Sequence, residues 1–406
     1  MHVSAADVVD DAEDPFLAFN KAMGAGLVSD PYPDFELQRA QGAVIVTDLG
    51  PGMPAVLTAT TYDAVQEVLR DNLRFSSTGY AEVMGAVMGH TILEMDEPEH
   101  KSYRSLIQQA FTRKEMEAWE HDLVGPVVDT LVDAILERGD GRAELVSELL
   151  FPFPVNVIAG LLGLPVEDLP LFHRLTVQLI SVTIDMDQAL RASAALAEYL
   201  LPFISARRTE PGHDMISVLA QASHEGQQLT DDEIVSFCRL LLPAGAETTY
   251  RSSSNLMCGL LGDPAQLDEV RVDRSLIPRA IEEGLRWEPP LLTIFRTAIE
   301  ATTVCGVGVD AGAWILTNLG SANHDETRWP EPGRFDIHRD MHAHIAFASG
   351  PHMCLGMHLA RMETKVVLER MFDRLPGLRL DPDAPAPFVT GMTFRAPARL
   401  DVVFDA

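Results

Sequence analysis

A mainly helical protein with a small β region is predicted by three observations on this 406-residue chain. Long stretches repeat apolar residues at three- and four-residue intervals, the mark of helices with one buried stripe. Period-two alternation is confined to short runs. Hydrophobic residues make up 47% of the chain, enough for a large core, and no repeat or Gly/Ser linker divides it. We therefore expect an acidic, disordered N-terminus over residues 1–15 and one domain over 16–406.

The helical pattern covers Ala64–Asp71, Lys101–Gln109, Lys114–Arg138, Val155–Leu162, Pro170–Arg207, Asp231–Leu261 and Arg279–Trp287. Strand alternation appears at Ala43–Val46, Ala55–Thr58, Phe295–Val309 and Thr393–Phe404. Gly163-Leu164-Pro165, Pro211-Gly212 and Gly262-Asp263-Pro264 end helices rather than domains. The longest helix should start at Thr230, an N-cap with Glu233 three residues on, and run to about Gly262. Pro243 and Gly245 interrupt its middle, so a bent or widened ladder is expected there.

A net charge of -29 disfavours nucleic acid and anionic membranes, both polyanions. Asp7, Asp10, Asp11, Glu13 and Asp14 stand where a signal peptide or membrane anchor would need basic and apolar residues. Four cysteines without regular spacing fit a reducing cytoplasm. Cys238, Cys258 and Cys305 read as small core residues.

Cys354 reads differently. It lies in Phe347-Ala348-Ser349-Gly350-Pro351-His352-Met353-Cys354-Leu355-Gly356, where glycines at fixed offsets let the backbone turn tightly and bring a thiolate close to a flat partner. A zinc or iron site is the alternative, since His342, His344, His352 and His358 crowd the same stretch. That reading leaves Phe347, Gly350 and Gly356 unexplained.

This run resembles the haem-binding loop of the cytochromes P450, which ligate haem through a cysteine thiolate. It departs at Ala348, where many members carry glycine. Glu247-Thr248, after Pro243-Ala244-Gly245-Ala246, resembles the family's acid and alcohol that deliver protons during oxygen activation. On the residues alone, Thr248 reads first as a helical threonine bonding the Ala244 carbonyl, a role compatible with the other. Glu283 and Arg286, three apart on one helix, resemble a pair that joins an arginine from a Pro-x-Arg-Phe segment, matched by Pro332-Gly333-Arg334-Phe335. The resemblance implies a buried structural triad of Glu283, Arg286 and Arg334. It also implies that His100, Arg104, Arg296 and His352 bind the haem propionates.

The resemblance, which spans nearly the whole chain, thus implies the cytochrome P450 fold, haem b, and a monooxygenase with Cys354 as the metal ligand. Phe347, Gly350 and Gly356 would shape the cofactor loop. Electrons are expected from a separate ferredoxin and ferredoxin reductase, which Arg113, Lys114, Arg361 and Lys365 could meet as a basic patch. Similar proteins line their pockets with segments read here as Met84, Val87 and Met88, then Leu241, Leu242 and Ala244. Leu291, Leu292, Thr293, Ile294, Met392 and Thr393 follow. Their apolar character favours a neutral hydrophobic small molecule. A peroxide-driven enzyme and a non-catalytic haem-thiolate sensor are the alternatives.

Overall fold

The long helix forms as Asp231–Gly262. Its start is the expected capping box: the Thr230 amide donates to Glu233 at 2.6 Å, and the Glu233 amide to the Thr230 hydroxyl at 3.2 Å. The helix continues through Pro243 with no π-helical turn. A computed structural model describes residues 28–47, 56–180, 185–224, 226–340 and 342–405. The acidic stretch 1–15, Ala55 of an expected strand and residues 181–184 of an expected helix lie outside the described residues.

The chain forms two compact units. The described part of the first comprises residues 79–130 and 151–248 and is almost wholly helical. It contains Gly79–Met88, Glu99–Gln108, Pro152–Leu162, Leu169–Ile180, Met186–Thr209 and Met215–Gln221 with the first half of the long helix. Where one helix was expected over Lys114–Arg138, Arg113–Trp119 passes through a π-helical turn, Glu120–Val124, into Gly125–Glu137. Gly245 earns its place by packing. A methyl on it would stand 3.2 Å from Ile158 Cδ1, tighter than ordinary contact, so glycine lets the helix Pro152–Leu162 approach closely.

The second unit holds residues 131–150, those from 249 onward, and the described residues before 79. Its main sheet has five strands in the order Val44–Thr47, Val56–Ala59, Trp314–Asn318, Thr293–Ala298 and Phe75–Ser76. Only the Val56–Ala59 and Trp314–Asn318 pair is parallel. Trp314–Asn318 was not foreseen, because Trp-Ile-Leu-Thr-Asn lacks apolar–polar alternation, although in the fold half-buried Trp314 and Leu316 alternate with buried Ile315 and Thr317. The expected Phe295–Val309 run divides into Thr293–Ala298 and the hairpin Thr302–Val304 with Val307–Val309. The sheet and the helix Tyr62–Arg70 enclose a core that includes Leu69, Phe75, Ile315 and Trp329.

Candidate functional site

The cysteine loop lies in the second unit, between Asn323 and the helix Met357–Arg374 that begins directly after Gly356. Each turn of it has a stated partner. The Ile345 amide donates to Asn323 Oδ1 at 2.8 Å and the Ala348 amide to the Ile345 carbonyl at 2.9 Å. The Met353 amide donates to Gly350 O at 3.0 Å, and the Cys354 amide to Phe347 O at 2.9 Å. Side chains of the second unit pin the loop. Arg70 Nε donates to Ser349 Oγ at 3.0 Å, and His352 Nε2 lies 3.1 Å from Ser77 Oγ.

Gly350 is required by two features at once. Its φ is +77°, and a Cβ there would stand 2.4 Å from the Leu69 carbonyl oxygen, a backbone atom that cannot swing aside. Ala348 has φ +59°, also in the left-handed region, and so carries strain that glycine would not. That position is where the chain departs from the resembled pattern.

Cys354 is exposed, at the N-terminal end of an 18-residue helix, where the helix dipole favours negative charge. The other cysteines differ in environment. Burial pushes the Cys238 and Cys258 thiols up to about 12, which keeps them protonated and inert. Cys305 is exposed but directs its thiol to Glu67 at 3.5 Å. Among the described residues no three His, Cys, Asp or Glu side chains gather as a metal-ion site, and His344 is engaged with Glu282 at 3.1 Å.

The charge cluster behind the loop corrects one expectation. Arg286 grips Glu283 with two hydrogen bonds of 2.8 Å, both side chains being buried, and donates further to the carbonyls of Asn323, Pro332 and Arg334. The third cation is Arg339, whose Nε lies 3.2 Å from Glu283 Oε1. Arg334 supplies only its carbonyl to this cluster, which both Arg286 and Arg339 bond, while its side chain is exposed. The turn after Pro332 points residue 334 outward and brings residue 339 back to the helix Ile277–Trp287. Arg296 is buried on the strand Thr293–Ala298, with Nη1 donating to Phe295 O at 2.8 Å.

Two candidate pocket segments of the second unit meet: the Leu292 amide donates to Thr393 O at 2.9 Å, and Leu291 bridges Phe394. Met392 and Thr393 are exposed, and Leu291, Thr293 and Ile294 half-buried. Leu292 is instead core, at 0% exposure. In the first unit Val87, Met88 and Leu242 are likewise buried and offer a ligand almost no surface, whereas Met84 and Leu241 are half-buried and Ala244 exposed. These four residues are better read as packing.

Also in the first unit, His100 is buried with Nδ1 3.2 Å from Glu97 Oε1, and Arg104 is half-buried one turn along the helix Glu99–Gln108. Glu247 is buried, and the Thr248 hydroxyl donates to the Ala244 carbonyl at 2.8 Å. Three of the four cations of the anticipated basic patch are ion-paired. Arg361 is half-buried and bonds Glu282 through both Nε and Nη2, Lys365 pairs with Glu369, and Arg113 with Glu117.

Several buried charged residues escaped the sequence reading, Arg395 and Glu363 among them. Arg395 is fully buried and bonds Glu288 at 2.8 Å, where Tyr32 also donates at 2.7 Å. Glu363 is buried on the helix Met357–Arg374, and burial pushes its carboxyl up to about 8 despite a hydrogen bond from Thr249. Its spacing from Leu359, Val366 and Val367 was the available signal: a carboxylate on the apolar face.

A family model described as Cytochrome P450 matches residues 177–378. The chain is 36% identical over 367 residues to Cytochrome P450 monooxygenase PikC of Streptomyces venezuelae, covering 89% of this chain and 87% of that protein. It is 38% identical over 352 residues to a Steroid C26-monooxygenase of Mycolicibacterium smegmatis, covering 85% and 87%. Substrate-free CYP109E1 from Bacillus megaterium superposes with a TM-score of 0.85 at 32% identity, covering 93% of this chain and 99% of that one. With the cysteine loop and the Glu283–Arg286 pair already described, these likenesses carry one conclusion: the chain belongs to the cytochrome P450 family of haem b monooxygenases.

Proposed function

We propose that this protein inserts one oxygen atom from dioxygen into a neutral hydrophobic small molecule, with electrons from a separate ferredoxin and ferredoxin reductase. Cys354 would hold the haem iron through its thiolate, and residues 16–406 act as one catalytic domain in the cytoplasm. The observation that carries the reading is the loop itself. An exposed cysteine, its amide tied to Phe347 O at 2.9 Å, stands beside a glycine whose place no side chain could take. A thiol donor on such a loop fits haem iron.

By family resemblance, His100, Arg104, Arg296 and His352 would hold the propionates, and Phe347, Gly350 and Gly356 would shape the cofactor loop. Bound haem supplies the activation of dioxygen. The chain's own residues then govern protons and access. Glu247 serves as the proton source, and the Thr248 hydroxyl, which donates to the Ala244 carbonyl, passes a proton on by exchanging that bond. Glu283, Arg286 and Arg339 hold the segment behind the loop.

Of the pocket residues the resemblance implies, half-buried Met84 and Leu241 with exposed Ala244 in the first unit, and half-buried Leu291, Thr293 and Ile294 with exposed Met392 and Thr393 in the second, keep surface for a substrate. Relatives named for steroid oxidation, and a CYP109E1 structure in complex with testosterone at 33% identity, make neutral steroids the first class to screen. The decisive experiment measures ferredoxin-supported oxygen consumption and product formation with such a library. Turnover with peroxide alone, or ligand binding without oxygen consumption, overturns the proposal.

A further inference from the structure

Glu282 and Glu283 are consecutive on the helix Ile277–Trp287, yet their carboxylates face different cations. Glu283 meets Arg286 and Arg339. Glu282 meets two residues that flank the cysteine loop: His344 ahead of it, Nε2 at 3.1 Å, and Arg361 behind it, Nε at 2.5 Å and Nη2 at 2.8 Å. The same Arg361 guanidinium lies 4.5 Å from the centre of the Phe347 ring, and His344 packs against that ring at 5.8 Å. Phe347 in turn gives its carbonyl to the Cys354 amide.

We propose that Glu282 is a positioning residue for the thiolate. Its carboxylate clasps both flanks of the cysteine loop and, through Arg361 on Phe347, fixes the carbonyl that orients Cys354. This rests on reading Cys354 as the haem ligand. A single carboxylate with a two-pronged arginine bond defines an orientation as well as a distance, which a lone surface pair does not. His344 has a side-chain exposure of 4%, against 26% for Glu282 and 30% for Arg361, so the clasp is partly withdrawn from water and only moderately screened. Burial pushes the Glu282 carboxyl up, but hydrogen bonds from Arg361 and His344 and the nearby Arg361 charge outweigh it and leave it at about 2, so Glu282 is ionised at neutral pH.

The test uses haem-loaded parent, Glu282→Gln, Arg361→Lys and Cys354→Ser proteins. Two signals are followed at a fixed, sub-denaturing urea concentration. One is the red-shifted band of the reduced carbon-monoxide complex, which reports the thiolate; the other is far-ultraviolet helicity. In Glu282→Gln we expect the band to decay about tenfold faster than in the parent while helicity is unchanged, the size suited to one charge-assisted bond between partly exposed groups. Arg361→Lys keeps the charge but loses the fork, and should decay at an intermediate rate. Decay at the parent rate in both variants, or loss of band and helicity together, overturns the clasp. Should Glu282→Gln fail to load haem, Arg361→Lys alone decides. A band retained in Cys354→Ser overturns the ligand assignment instead, a result distinct from either.

Discussion

Arg339 Nε lies 3.2 Å from Glu283 Oε1, and both side chains are buried, at 8% and 1% exposure. This contact completes the charge cluster that a Pro-x-Arg-Phe reading gives to Arg334. The two arginines should therefore separate cleanly on substitution. Arg339→Ala strips a buried carboxylate of one partner and is expected to cost about 3 kcal/mol, the low end for breaking a buried pair, since Arg286 remains. Arg334→Ala removes an exposed side chain and should stay within about 0.5 kcal/mol of the parent. Urea unfolding of the holoenzyme followed by helicity measures both.

Ala348, at φ +59°, offers a second test. Left-handed backbone costs an L-residue roughly 1–2 kcal/mol. Glycine relieves that strain, at roughly 0.4–1 kcal/mol of extra chain entropy in the unfolded state. Ala348→Gly should accordingly stabilise by up to about 1.5 kcal/mol, and Ala348→Val, whose branched side chain resists this backbone, should destabilise. Thermal unfolding midpoints order the three proteins; a valine variant at or above the parent would contradict the strain.

Glu363 governs a dependence on pH. Its folded pKa is raised from 4.5 to about 8 by burial, partly opposed by Thr249. Between those values the folded state holds a proton that the unfolded chain has released, so this group makes stability fall as pH rises. Glu363→Gln has no such proton. Its stability relative to the parent should grow from about pH 5 to pH 8 and level off beyond, as read by urea titration at each pH. A constant difference would show that Glu363 is already ionised.

Thr248 keeps its hydroxyl on the Ala244 carbonyl at 2.8 Å, a bond whose loss costs a helix little. Thr248→Ala should thus retain haem content and substrate affinity while diverting electrons to peroxide, lowering product per electron severalfold. Thr248→Ser, which keeps the hydroxyl, should preserve coupling. Equal coupling in the alanine variant and the parent would remove Thr248 from proton delivery.

Much of this was legible in the chain itself, wherever the constraint is local. Helix periodicity marked Tyr62–Arg70, Glu99–Gln108 and Asp231–Gly262 to within two residues of their observed ends, because a helix buries one stripe of its own sequence. The cysteine loop was legible for a similar reason: close backbone approach demands particular residue types at contiguous positions, and Gly350 is one. The tertiary structure alone decided what depends on distant partners. Arg334 and Arg339 are chemically identical, and only the path of the chain after Pro332 turns one outward and the other onto Glu283. Adjacent Glu282 and Glu283 look equivalent until the loop and the segment at Arg339 supply each with its own cations. Val87, Met88, Leu242 and Leu292 are as apolar as any pocket wall, and whether such residues pack or face a ligand depends on what folds over them. Burial, the sign of a backbone angle and the choice among like charges arise from packing across the chain, which neighbouring residues alone do not encode.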